Sequence, residues 1–358
     1  MRIGIITSGG DAPGLNAVIR AAVLTAHEKY GYEVLGIRQG FDGLLNRLDP
    51  MILTPESVEG LHLRGGTILG AANRGSPFAR TQVLPSGEIE VQDASHEATA
   101  RLRELGIDAL IVAGGDGTLR ISEKLHDMGV PIVAVPKTID NDLSETDVTF
   151  GFDTAIQTAT EALDKLQTTA ESHHRVMVLE VMGRDSGWIA LVSGVAGGAD
   201  VILIPEIPFQ LDPILAKISR VNARGRRYSL VVVAEGAFIS LGEKQYLAHS
   251  DPRRERLGGI GNFVGNVIAE RLENEVRVTV LGHLQRGGQP TPRDRWLATR
   301  FGSMAIQLIA RQEWGMMVAL QGTNMVAVPI GQANKSNFID PNGEMVHMAR
   351  DLGISFGV

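Results

Sequence analysis

The stretch IGIITSGGDAPGLNAVIRAAVLTAHEKYG, residues 3–31, holds in miniature the unit from which the rest of the chain is built. It begins with an apolar, β-branched run, IGIIT (3–7), of the length and composition of a buried strand. Gly9, Gly10, Pro13 and Gly14 then make a turn. After it, Leu15, Val18, Ile19, Ala22 and Val23 recur at helical spacing on one face, and the pattern stops at Gly31, as an amphipathic helix with a glycine C-cap does. Strand, glycine turn and helix form the βα unit of a doubly wound sheet.

Comparable strands recur along the chain: EVLGI (33–37), ALIVA (109–113), PIVAV (131–135), VMVLEV (176–181), VILI (201–204), LVVVAE (230–235) and VRVTVLG (276–282). Continuous apolar runs of this length predict parallel strands covered on both faces. The chain, at 358 residues, exceeds the size at which single cores usually stop growing, so two domains are expected. The predicted class is therefore α/β, as two Rossmann-like three-layer αβα domains with mainly parallel sheets and a cleft between them. Borders are expected just after TIDND (138–142) and near Gly282.

Composition narrows the chemistry. Lys and Arg number 34 against 41 Asp and Glu, a net charge of -7, which disfavours nucleic acid and anionic lipid as partners. The absence of cysteine removes disulfides and thiolate chemistry, leaving oxygen and nitrogen as nucleophiles and ligands. No apolar run approaches the roughly 18 residues of a membrane span, and the first residues do not resemble a signal segment, so a cytoplasmic protein is expected.

The polar clusters share one position. SGGDAPG, AGGDGT, PKTIDND, VMGRDSG, VAEGA and LGHLQRGG each follow an apolar run, and open parallel sheets bind ligands beyond the carboxyl ends of their strands. SGGDAPG offers backbone N–H groups and a helix N-terminus to an anion, although it matches neither G-x-G-x-x-G nor the Walker pattern. GGDGT (114–118) sets Asp116 among glycines, suited to a cation or a backbone donor. In TIDND two carboxylates stand two residues apart: Asp140 could take a hydroxyl proton and Asp142 hold a metal-bound water, a division of labour that suits phosphoryl transfer to an alcohol. An Asx-turn with a capping aspartate explains one of the pair. Arg175, Arg184, Arg277 and Arg286 in an acidic chain point to an anionic substrate, and Glu235 could accept sugar hydroxyls or serve a structural ion pair.

Taken in order, TSGGDAPGLNAVIR, GGDGT, PKTIDND, FGFDTA, EVMGRDSGWIA, AEGA and VLGHLQRGGQPTPRDR resemble the 6-phosphofructokinase family, from residue 3 to about residue 310. The resemblance implies phosphorylation of fructose 6-phosphate at C1 by Mg-bound ATP. Residues 1–150 with about 284–335 would bind the phosphoryl donor, and residues 151–283 with about 336–358 the sugar phosphate. Gly9, Gly10, Arg74, Gly115, Asp116, Gly117, Thr118 and Lys137 would hold the donor, with Asp116 and Asp142 toward Mg2+. Asp140 would be the base, and Thr138 and Arg184 would steady the transferred group. Thr138, Ile139, Asp140, Met182, Gly183, Arg184, Glu235, His283 and Arg286 match sugar-phosphate positions. Arg175 and Arg277 match residues that cross a subunit boundary to a neighbouring site, which implies a homo-oligomer, dimer or tetramer, with shared active sites.

The chain departs from the family pattern in three places. GAANRG puts an arginine one place later than in bacterial allosteric enzymes, at Arg74. Leu24 and Pro55 replace two effector-site arginines, while Arg20, Arg224 and Arg226 remain basic, so regulation by a nucleotide diphosphate does not carry over. Lys137 is usual in pyrophosphate-dependent relatives, which also place an aspartate where this chain has Gly117. ATP is the expected donor and pyrophosphate the alternative. Two readings of other classes are a nucleotide-binding oxidoreductase, for which G-x-G-x-x-G is missing, and a silent sugar-phosphate sensor, for which loss of Asp116 or Asp140 would be expected.

Overall fold

The computed structural model describes residues 1–72, 75–83, 89–240, 246–247, 256–333 and 335–358. From the N-terminus run β1 (Arg2–Thr7), α1 (Leu15–Tyr30), β2 (Glu33–Ile37), α2 (Gly40–Leu45) and β3 (Met51–Leu53). An antiparallel pair, β4 (Arg80–Val83) and β5 (Ile89–Gln92), precedes α3 (Ser95–Glu104), β6 (Ala109–Gly114), α4 (Asp116–Asp127) and β7 (Ile132–Pro136). Then come α5 (Phe152–His173), β8 (Val176–Val181), α6 (Trp188–Ala196), β9 (Val201–Leu203), α7 (Leu211–Ala223) and β10 (Ser229–Ala234). The short pair β11 (Tyr246–Leu247) and β12 (Arg256–Leu257) leads to α8 (Ile260–Arg271), β13 (Val276–Val280) and α9 (Pro292–Ala310). The chain closes with β14 (Met316–Gln321), β15 (Asn324–Pro329), α10 (Ile330–Ala333) and α11 (Glu344–Asp351).

Two compact units result. One comprises Met1–Ile139, Leu143–Thr154 and Arg286–Ser336; the other comprises Asp140–Asp142, Ala155–Gln285 and Asn337–Val358. The first contains a seven-stranded sheet in the order β15-β14-β7-β6-β1-β2-β3, parallel except for its two outer strands, β15 and β3. Strand periodicity explains why its strands read as unbroken apolar runs. Ile3, Ile5, Ile111, Val133 and Val135 point to one core with α1 and α9, whereas Ile6, Leu110, Val112, Ile132 and Ala134 point to another with Phe41 and Leu119. At β1 the chain passes to β2 on one side and later to β6 on the other, so the sheet has its switch point there.

The second unit has a four-stranded parallel sheet, β13-β8-β10-β9. Its central strands β8 and β10 are buried throughout. The sequence reading expects the same cover for residues 276–282, and the structure corrects it: β13 is an edge strand, with Arg277 and Val280 exposed, because only β8 pairs with it. Among the described residues no helix is long and apolar enough to cross a membrane.

Candidate active site

In the first unit the turns after β1, β6 and β7 converge at the switch point. Ser8 N–H donates to the Ala113 carbonyl at 3.0 Å and Gly9 N–H to the Ala72 carbonyl at 3.2 Å, so these two amides of the first turn are spent on structure and not left for an anion as the sequence suggests. Gly9 has φ 76°, and a Cβ there would lie 3.4 Å from Lys137 Nζ and 3.6 Å from Thr118 Oγ1. Lys137 is buried, so its ammonium, the Thr118 hydroxyl and the Gly9 backbone form one small polar group. Gly10 lets Arg286 approach closely: a Cβ there would meet Arg286 Nη1 at 2.9 Å and displace the guanidinium, and the same nitrogen donates to the Asp11 carbonyl at 3.0 Å.

After β6, Gly115 caps α4 and Asp116 occupies its first turn, where the helix dipole favours a carboxylate. Both Asp116 oxygens face Arg120 one turn on, each at 3.0 Å. The sequence reading misses Arg120, although its i+4 spacing from Asp116 on a predicted helix was the available signal. Nothing lies within 4 Å of a Cβ placed on Gly117. Thr138 is buried, with its carbonyl accepting from Thr149 Oγ1 at 2.8 Å, and Ile139 is fully buried. Its side chain therefore belongs to the core, and only its backbone can serve the substrate contact expected of it.

The second unit holds the acidic turn. Asn141 adopts φ 51°, a left-handed conformation that asparagine tolerates better than most residues. The Asp140 carbonyl accepts from Ser186 Oγ at 3.1 Å, the Asn141 carbonyl from Asn337 Nδ2 at 3.2 Å and the Asp142 carbonyl from Asn337 N at 2.8 Å. Asn337 is itself held by Trp188, whose Nε1 donates to its carbonyl at 2.8 Å. The turn is thus fixed through its backbone, and Asp140 and Asp142 are half-buried.

At the carboxyl end of β8, Met182 N–H donates to Gln285 Oε1 at 2.8 Å, and Gly183 takes φ 141° against the Ser186 carbonyl. Gly236 lies so close to the Arg184 carbonyl that a Cβ would stand 1.9 Å from it, which accounts for the glycine after Glu235. Arg184 is exposed, as is His283, while Glu235 is half-buried. Glu180, inside β8, accepts from Gly259 and Gly261 N–H and so seats the start of α8.

Arg175 and Arg277 lie elsewhere. Both pair with Glu275, Arg175 Nε at 2.7 Å from Oε2 and Arg277 Nη2 on Oε1, and the Arg175 bond holds the Glu275 carboxyl below its usual range. They sit at the amino end of β8 and β13, whereas Arg184 follows the carboxyl end, a strand length of roughly 20 Å away. Within one chain Arg184 thus stands at the opposite end of the sheet from the other two. Arg74 lies outside the described residues. Of the effector positions, Pro55 lines a cavity of about 520 Å³ with Val23, His27, Leu35 and Leu53, and Arg226 is engaged by buried Asp200. No candidate site residue lines that cavity.

The phosphofructokinase family model matches residues 2–309. The chain belongs to this family. An ATP-dependent 6-phosphofructokinase of Chloroflexus aurantiacus is 52% identical over 357 residues, covering 99% of this chain and 98% of that one. A pyrophosphate–fructose 6-phosphate 1-phosphotransferase of Amycolatopsis methanolica is 48% identical over 340 residues, covering 93% and 94%. Among solved structures, the phosphofructokinase of Saccharomyces cerevisiae superimposes with a TM-score of 0.78 at 32% identity; the match covers 93% of this chain, which spans only 45% of the yeast chain. Relatives of both donor types thus share about half their residues with this phosphofructokinase family member, so overall identity does not separate the donors.

Proposed function

We propose that the protein transfers the γ-phosphoryl group of Mg-bound ATP to the C1 hydroxyl of fructose 6-phosphate, forming fructose 1,6-bisphosphate and ADP. The observation that carries this reading is the acidic turn, whose backbone is anchored at three successive carbonyls and which presents two half-buried carboxylates. Asp140 takes the C1 hydroxyl proton as the oxygen attacks phosphorus, and Thr138 and Arg184 steady the group in transit. Gly10, Thr118 and Lys137 receive the donor phosphates, with Gly9 leaving room beside Lys137 by its lack of a side chain, while Met182, Gly183, Glu235, His283 and Arg286 receive the sugar phosphate.

Among the described residues no three acidic or histidine side chains cluster as a metal cage. That fits magnesium, which one or two carboxylates hold together with phosphate oxygens. Asp116, partly exposed at a helix N-terminus, suits this role, with Asp142 as the second carboxylate. When bound, the ion neutralises donor charge. Arg120, which faces both Asp116 oxygens, would share that carboxylate with the ion.

Donor choice is tested by comparing catalytic efficiency on fructose 6-phosphate with Mg-ATP and with Mg-pyrophosphate. ATP is expected to be the better donor; a parent that uses pyrophosphate and ignores ATP overturns that choice, and one that phosphorylates fructose 6-phosphate with neither overturns the function. Pyrophosphate remains the second reading because Lys137 sets a buried cation beside Gly9.

The separation of Arg175 and Arg277 from Arg184 supports a homo-oligomer in which both serve a neighbour's sugar phosphate. Arg175→Ala is then expected to raise KM for fructose 6-phosphate roughly 10- to 100-fold, the worth of a lost charge-assisted hydrogen bond, with little change in KM for ATP. Mixing Arg175→Ala with Asp140→Asn chains should restore activity through hybrid sites. Hybrids that recover nothing would count against shared sites.

A further inference from the structure

The motifs FGFDTA and QPTPRDR, which the phosphoryl-transfer chemistry leaves without a role, meet in the structure. Asp153 and Thr154 stand in the first turn of α5, and Thr291 and Asp294 at the start of α9. Asp294 Oδ2 accepts from Thr154 N at 2.8 Å and from Thr154 Oγ1 at 2.6 Å. Thr154 Oγ1 in turn accepts from Thr291 N at 3.0 Å, while Thr291 Oγ1 accepts from Asp294 N at 3.2 Å and donates to Asp153 Oδ2 at 2.6 Å. Each hydroxyl donates once and accepts once. The two helices therefore cap each other, satisfying terminal amides that would otherwise be orphaned in a place where Thr154, Thr291 and Asp294 are all buried.

Three turns of the candidate site hang from this ring. Just before α5, Phe150 bridges to Lys137 and Thr149 holds the Thr138 carbonyl. Gly151, at φ 95°, is pressed so closely on the 12–14 turn that a Cβ would meet Ala12 Cβ at 2.9 Å and Pro13 O at 3.4 Å. Just before α9, Arg286 reaches the Asp11 carbonyl at 3.0 Å. We propose that Asp294, Thr154 and Thr291 are positioning residues for phosphoryl transfer, locking the start of α5 to the start of α9 so that Lys137, Thr138 and Arg286 keep their places around the 8–14 turn. The inference rests on the functional reading above.

Burial pushes the Asp294 carboxyl up to about 6, against the pull of hydrogen bonds from Thr154 and the Gly151 amide, and neighbouring Asp153 adds to the rise. The other charges nearby are Arg293, 3.9 Å from Asp153, and Arg295, whose Nε is committed to the Pro290 carbonyl. At neutral pH the ionised ring thus costs the fold some stability, since the folded protein takes up this proton more readily than the unfolded chain does.

The test compares Thr154→Ser, Thr154→Val and Asp294→Asn in the intact enzyme, assayed well below each melting temperature with folded fraction measured. Thr154→Ser is expected to keep kcat within about threefold of the parent, and Thr154→Val to lower kcat roughly 10- to 100-fold with smaller changes in KM, as befits a misplaced group and not a lost binding contact. Asp294→Asn carries the same expectation should Thr154→Val fail to fold. The melting temperature of the parent relative to Asp294→Asn should rise as pH falls from 7 to 4, the raised carboxyl gaining its proton in the fold. Fully folded Thr154→Val or Asp294→Asn with parental kcat, a Thr154→Ser as impaired as Thr154→Val, or a melting difference flat with pH would each overturn the clamp. A parent inactive on fructose 6-phosphate would instead overturn the functional reading, and the clamp's part in it.

Discussion

Asp140→Asn is expected to lower kcat by roughly 10²- to 10⁴-fold, the range for a lost general base, while KM for fructose 6-phosphate stays within a few-fold of the parent. The substitution is nearly isosteric, and the hydrogen bonds that fix the turn run through backbone carbonyls to Ser186 and Asn337, so the fold keeps these anchors. What disappears is the ability to accept a proton at that position. Steady-state kinetics with Mg-ATP, alongside a melting curve, separate the two effects. A variant that turns over within a few-fold of the parent and melts normally would remove Asp140 from the chemistry.

Gly117→Asp is expected to cut catalytic efficiency with ATP by roughly 10²- to 10³-fold without destabilising the protein. A Cβ at this position meets nothing within 4 Å, and Gly117 is exposed, so the substitution adds no clash at Cβ. Gly117 also stands in the first turn of α4, where an aspartate is a better helix residue than glycine and has the charge that the helix dipole favours. The melting temperature should hold or rise. The cost falls on the nucleotide: the aspartate fills and charges the space left for the α-phosphate and the nucleoside beyond it, and a carboxylate about 4 Å from that phosphate repels it by about 4 kcal/mol at the effective dielectric of a protein surface. Pyrophosphate, with no nucleoside to place beyond that point, should lose less, so the ATP-to-pyrophosphate ratio of efficiencies falls. An unchanged ratio would show that the open space over Gly117 is not where the nucleotide passes.

The sequence by itself determined what depends on neighbours a few residues apart. Apolar runs marked the strands, period-3.6 faces and Gly31 bounded α1, and the polar clusters fell at strand ends because a βα unit must turn there. The TIDND carboxylates, the GGDGT turn and the ordered motif series are equally local, and they pointed to the family and to the candidate chemistry. Tertiary structure decided what rests on pairs distant in the chain. Asn337 anchors Asn141 from 196 residues away, and Thr154 meets Asp294 from 140. That β8 lies between β13 and β10 put Arg175 and Arg277 beside Glu275, at the far end of the strand from Arg184, and no period in the sequence reports strand order. Ile139 and Lys137 stand two residues apart in one turn and both are buried, yet one adds an apolar side chain to the core and the other brings an ammonium to Gly9, a difference that only their tertiary neighbours report.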